Sequence, residues 1–220
     1  MFPFFSQLDI KKKFIFLLLS SLVFGFFIQS IFKGLNNSCD ILWQPTNIFW
    51  SGINHYEYQL RTRDIFLGCQ KGQYGHFMFI LFYPLTFLEW EQVKIFWMIV
   101  NIILAMSIPI LICRSFNIPT IASFLILGIF LTSHPTRMTF NLGQNSLMIF
   151  FFLMLPFLTL KSINKNAILI LSGISYVKYS TGYILFLNLF IEKKYKNLFL
   201  TTILTIFGWL FYSYYTETNL

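Results

Sequence analysis

Three stretches of this chain run for 18 or 19 positions without a charged residue: residues 14–32, 95–112 and 197–215. Wound as helices at 1.5 Å per residue, each reaches about 27–28 Å, close to the roughly 30 Å hydrocarbon core of a bilayer. Composition agrees, with 56% of residues hydrophobic and only 11% charged, against about 25% charged in a soluble domain. Inside lipid every backbone N–H and C=O must be satisfied by the segment itself, so these runs are expected to be helices. The expected fold class is all-α, a polytopic transmembrane helical bundle.

The net charge of +8 does not call for a nucleic-acid partner. Nine of the sixteen basic residues sit in short segments beside apolar runs: Lys11–Lys13, Arg114, Lys161 with Lys165, and Lys193, Lys194 with Lys196. That distribution is the positive-inside pattern, which orients a membrane protein. It puts the N-terminus in the cytoplasm. The first apolar run is long for a signal peptide and no small-residue cleavage site follows, so it reads as an uncleaved anchor.

From these boundaries residues 1–220 form a single integral membrane domain, with spans at about 14–32, 95–112, 118–132, 145–160 and 197–215. External loops are expected at about 33–94 and 133–144, the first of them large. Residues 76–88 are apolar but too short to span, and fit a helix at the membrane interface. Counting them as a span would send Arg114, Lys161, Lys165 and the last basic cluster outside, against the charge rule. Residues 166–191 have cytoplasmic basic clusters on both sides, so the segment should enter and return as a re-entrant hairpin tipped by Lys178. The alternative is one long tilted helix with Lys178 snorkelling to an interface.

A lysine at bilayer depth costs at least about 2.5–3.5 kcal/mol on insertion scales, so it marks a functional site by default. No acid lies at helical spacing to pair with Lys178, which leaves a distant carboxylate or a ligand phosphate. His134, Arg137, Asn141 and Gln144 make a donor-rich rim in the segment "SHPTRMTFNLGQ". They suit a phosphate or a sugar, or else are ordinary loop residues at a helix boundary. Asp40 follows the outer end of the first span closely, either as a turn or cap residue or as a reactive carboxylate. Cys39 and Cys69 share the external loop, where an oxidising compartment would pair them, while Cys113 falls near the cytoplasmic side. The three histidines show no metal-ligand spacing and no Gly-rich nucleotide loop occurs, so neither a divalent metal nor another cofactor is expected.

The order of these features resembles glycosyltransferase family 87, polyprenyl-phosphate-sugar-dependent membrane enzymes of the GT-C class. In "CDILWQPTNIFWSGINHY", Asp40 precedes Gly52 and Tyr56, matching an aspartate followed by Gly-x-x-x-Tyr. "FNLGQNSLMIFF" supplies the Gly-Gln pair, Gly143 and Gln144, and "LSGISYVKYSTGYILFLNLFIEKKYKNL" a lysine-bearing hairpin with Lys178. The resemblance runs from about residue 8 to residue 211. Two features depart from it: Tyr74-Gly75-His76 stands where the family has Tyr-Pro-Pro, and polar residues around Ser180 replace a proline. Members are close to twice this length, so a truncated or half-length member is one expectation.

What the resemblance implies is an inverting transfer of mannose, or a similar hexose or pentose, from a polyprenyl-phosphate carrier to a lipid or glycan acceptor. The reaction would take place at the external face of a bacterial inner membrane. Asp40 would be the general base, the one carboxylate needed when the leaving group is already anionic. Lys178 and Arg137 would balance the charge growing on the leaving phosphate. Gln144, Asn141 and His134 would orient donor or sugar. Tyr56, with Trp43, Trp50 and Tyr58, would stack on sugar faces or simply anchor the interface. The lipid-linked sugar phosphate is then a co-substrate, and membrane lipid a partner. Two alternatives stand beside this: a non-catalytic protein such as a transporter half or assembly subunit, and an inactive remnant of the enzyme.

Overall fold

The computed structural model describes residues 9–39, 41–62, 75–155, 186–187, 189–191, 193 and 195–216. In chain order these build α1 (Ile10–Asn37), α2 (Trp43–Trp50), α3 (His55–Thr62), α4 (Phe77–Leu81) and a 3-10 helix (Tyr83–Phe87). There follow α5 (Trp90–Ser115), α6 (Thr120–Thr132), α7 (His134–Leu142), α8 (Ser146–Met154) and α9 (Tyr195–Tyr215). The described residues contain no strand, and the protein is all-α. Helices α1 and α5, and Leu198–Tyr215 within α9, are long and apolar enough to cross a membrane.

α1 and α5 outrun the charge-free stretches that announce them. Lysine is a good helix former and its stem can lie along apolar surface while the ammonium reaches water, so α1 starts at Ile10 and includes Lys11–Lys13 rather than beginning after them. At α5 a capping box closes the N-terminus, the Glu89 side chain and Gln92 exchanging hydrogen bonds with each other's backbone N–H. Arg114 in its last turn complements the helix dipole.

The faces of these helices divide between lipid and core. On α1, Leu18, Leu22 and Phe24 are exposed, whereas Phe27, Ser30 and Gly34 are buried at spacings of three and four. That buried stripe packs on α7, and a Cβ at Gly34 would overlap the Met98 side chain and the Phe140 carbonyl. On α5, Val93, Trp97, Asn101, Ala105 and Ile108 form the inward stripe. Ile41, Leu42, Met78, Phe82, Trp97 and Met148 close one core cluster. Phe27, Met98, Ala105, Phe140 and Leu147 close a second.

The expected loop 133–144 is instead mostly helix. Ser133 caps it, its Oγ accepting from the Thr136 N–H, Pro135 fits the first turn, and Gly143 terminates it at φ 70°. Polarity made this segment look like a loop; its caps make it α7. Residues 77–87 are two five-residue helical pieces, too short to cross a bilayer, with Tyr83 and Phe87 exposed. α9 lies against α4, where a Cβ on Gly208 would meet the Phe77 nitrogen at 2.9 Å. Asp40, Cys69 and the Lys178 hairpin tip lie outside the described residues.

Candidate functional site

The turn from α1 into α2 is pinned at both of its described ends. Ser38 N–H donates to the Gly34 carbonyl at 2.9 Å, closing α1. Cys39 N–H then leaves its own helix and donates to the Leu142 carbonyl, 3.1 Å away at the end of α7. Beyond position 40, Ile41 and Leu42 are fully buried, and Leu42 adopts a left-handed φ of 36°. A branched side chain rarely accepts that conformation, so the burial of Leu42 must hold it there. The residues on either side of Asp40 are thus anchored, one by a hydrogen bond and the other by packing. Cys39 is disulfide-bonded, and Cys113 is a buried free thiol.

The partner surface of this turn is the Gly143–Gln144 corner. Gly143 N–H donates to Phe140 O and Gln144 N–H to Thr139 O, at 3.3 and 3.0 Å. This is a Schellman ending, which requires a left-handed residue at Gly143 and satisfies two otherwise orphaned carbonyls. Space imposes the same choice, because a Cβ on Gly143 would stand 2.7 Å from Ile41 Cγ1 and 2.9 Å from Ser38 Cβ. The Gly-Gln pair therefore lies directly against the turn that carries Asp40.

Arg137 and Asn141 lie one turn apart on α7, on the same side of the helix. The guanidinium carbon of Arg137 stands 5.2 Å from the Phe26 ring centre. Arg137 Nε, Asn141 Oδ1 and Ser38 Oγ are buried atoms without a hydrogen-bond partner among the described residues. Gln144 is half-buried, with its Oε1 3.5 Å from Ser146 Oγ. His134 is exposed at the opposite end of α7, about 12 Å along the axis from Leu142. Beside α7 opens a groove of 360 Å³, whose lining includes Ser133, Thr136 and Ser146 together with the apolar Phe130, Leu147 and Leu153.

Tyr56 belongs to a separate cluster. Asn54 caps α3, its Oδ1 accepting from Tyr56 N–H at 3.0 Å and from Tyr212 O–H at 2.9 Å. The Tyr212 proton is thereby committed, so His55 Nδ1, 2.9 Å from the same hydroxyl, must carry the donated N–H. His55 Nε2 and His76 Nδ1 are left as buried atoms without hydrogen-bond partners among the described residues. Burial, assisted by the neighbouring His76, pushes the His55 pKa down to about 3, and burial pushes His76 down to about 4. Both rings are neutral at ordinary pH. Tyr215 O–H adds a bond to the Trp50 carbonyl at 2.9 Å, so α9 is laced to the segments between α1 and α5.

Sequence reasoning passed over Asn101 on α5 and Asn145 at the head of α8, both fully buried. Signals for them existed. Asn101 interrupts the apolar run "WMIVNIILAM", and Asn145 directly follows the Gly-Gln pair. His55 and His76 offered less, since they stand 21 positions apart and are brought together by packing around Tyr56, Phe79 and Tyr212.

A family model described as glycosyltransferase family 87 matches residues 73–216. The matched stretch takes in α4 to α9 with the Gly143–Gln144 corner, and begins beyond Asp40 and Tyr56. No curated protein and no solved structure matches the chain.

Proposed function

The chain belongs to glycosyltransferase family 87, a family of membrane glycosyltransferases, and on that premise we propose that it transfers a hexose or pentose, mannose among them, from a polyprenyl-phosphate carrier to a lipid or glycan acceptor. Asp40 takes the proton of the acceptor hydroxyl, whose oxygen attacks the anomeric carbon from the side opposite the phosphate. A glycosidic bond forms, the carbon–oxygen bond to phosphate breaks, and the polyprenyl phosphate departs with the bonding pair. The configuration inverts. Lys178 and Arg137 balance the added charge on the departing phosphate, and Gln144 with Asn141 orients the donor. His134 and Tyr56 serve the outer approach of the substrates. The serine- and threonine-rimmed groove beside α7 suits a lipid-linked molecule, apolar along its length and polar at its head.

One observation carries this reading: the Cys39 N–H to Leu142 carbonyl bond at 3.1 Å. It joins the chain immediately before Asp40 to the corner bearing Gly143 and Gln144, Asp40 and Gly143 lying 103 positions apart in sequence. The basic residues Lys11–Lys13 support a cytoplasmic N-terminus in a bacterial plasma membrane, with the reaction at the external face. The test uses membranes containing the full chain, a panel of polyprenyl-phosphate sugars and a lipid acceptor. Transfer should fall by about 10²–10⁴ in Asp40→Asn, the range of general-base catalysis, with thermal stability kept. Undiminished transfer in that variant would remove Asp40 from the reaction.

A further inference from the structure

Three side chains, two on α5 and one at the head of α8, are sealed from solvent and find no hydrogen-bond partner among the described residues. Asn101 and Asn145 are each 0% exposed, and neither Oδ1 nor Nδ2 of either has a partner. Trp97, 3% exposed, has an unpartnered Nε1. Trp97 and Asn101 sit one turn apart on the inward stripe of α5, within a helix long enough to span. Asn145 stands at the head of α8, which packs on α5. Their surroundings lead back to the reactive turn, since Trp97 shares a core cluster with Ile41, Leu42 and Met148.

Native proteins seldom leave buried amides wholly unbonded, because each unmet donor or acceptor carries its full desolvation cost. Polar groups inside a spanning helix are functional by default for the same reason. The chemistry of the three specifies a ligand. An asparagine amide sets an acceptor beside a donor, and a hydroxyl, which both donates and accepts, completes either. The indole adds one more donor. None of the three is charged, so they suit a neutral polyhydroxyl compound rather than an anion, whose place is with Arg137.

We propose that Asn101, Asn145 and Trp97 form the subsite that reads the hydroxyls of the transferred sugar, an inference resting on the glycosyl-transfer reading above. The amides select the sugar by its hydroxyl pattern, since a site built to bond a hydroxyl rejects ligands that lack it.

The test follows thermal unfolding of the full chain in lipid nanodiscs. The additions are polyprenyl phosphate alone and a panel of polyprenyl-phosphate hexoses and pentoses. At least one sugar-bearing compound should stabilise the protein beyond polyprenyl phosphate. Asn101→Leu should erase that excess, a loss of affinity of about tenfold or more, and keep the response to polyprenyl phosphate. Without ligand the variant should melt at or above the unmodified protein, because an unpartnered amide has been removed. The smaller changes Asn101→Ser and Asn145→Ser should weaken the same excess and guard against a leucine variant that misfolds. If Asn101→Leu and Asn101→Ser both melt several degrees lower without ligand, the amide serves ordered water or the fold alone, and the subsite is overturned. An unchanged sugar excess in every variant overturns it too, as does an unmodified protein stabilised by polyprenyl phosphate but no further by any sugar. A protein that responds to neither compound removes the glycosyl-transfer reading along with the subsite.

Discussion

Gly143 and Ile41 approach so closely that a Cβ on the glycine would stand 2.7 Å from the isoleucine Cγ1. Gly143→Ala therefore meets two penalties. A left-handed backbone costs an ordinary residue about 1–2 kcal/mol, and overfilling a packed site adds about 1–3 kcal/mol. Gly143→Asn separates them, since asparagine tolerates the left-handed region but still carries a Cβ. Both variants are expected to unfold at lower temperature and to lose transfer, because the collision pushes on the turn bearing Asp40. An asparagine variant as stable as the unmodified protein would mean that backbone conformation alone demands glycine here.

This pair also shows what could be read in advance. The apolar runs 14–32 and 95–112 announced α1 and α5, because hydrophobic length maps onto bilayer thickness with little interference from packing. They understated both helices, since charged ends that reach water continue a helix at no cost in lipid. α7 was misread from its polarity, although Ser133, Pro135 and Gly143 wrote its caps into the sequence. Its amphipathic face serves a protein neighbour, α1, and not lipid. Asn101 and Asn145 stand out in the sequence, but the lack of a partner for their amides does not. An asparagine in an apolar run looks the same whether its amide is bonded or not, and only packing decides.

The two neutral histidines make stability depend on pH. In the unfolded chain each ring has its ordinary pKa of about 6.5, whereas folding lowers His55 to about 3 and His76 to about 4. Between those values the unfolded state binds more protons, so stability is complete above pH 6.5 and falls as pH drops. The loss finishes below about 4 for His76 and about 3 for His55. By pH 5.5 the two rings together remove at most about 2–3 kcal/mol. Melting curves at pH 7.5 and 5.5 should differ by several degrees, and the difference should shrink in the double variant His55→Gln, His76→Gln. A double variant with the full difference would assign the titration to other groups.

Tyr212 ties α9 to α3 through one hydroxyl that accepts from His55 and donates to Asn54, both at 2.9 Å. Tyr212→Phe keeps the ring stacked on Phe49, 5.1 Å away and inclined by 13°, while leaving a buried imidazole N–H unmet. The expected cost is about 1–3 kcal/mol. Tyr214→Phe is the control, because that side chain is 85% exposed. Hydrogen exchange should quicken at the C-terminal end of α9 in the first variant and not in the second. Equal exchange in the two would show that the rings, not the hydroxyl, hold the helix.

Arg137 projects from α7 over the Phe26 ring, with Asn141 one turn further toward the Gly143 corner. The ring offers its electron-rich face to the cation and fixes its plane without consuming a hydrogen bond, so the guanidinium donors stay available for an anion. Arg137→Ala is expected to lower transfer by about 10²–10³, the usual consequence of losing a donor to a developing oxyanion. Arg137→Lys should recover only part of it, because an ammonium keeps the charge but not the planar fork that spans two phosphate oxygens. Phe26→Leu should cost far less, roughly twofold to fivefold, since a partly exposed cation–π contact contributes about 0.5–1 kcal/mol. Steady-state kinetics over a range of donor concentrations separates these cases. An alanine variant with undiminished rate and donor KM would leave Arg137 as a cation that holds α7 to α1 and nothing more.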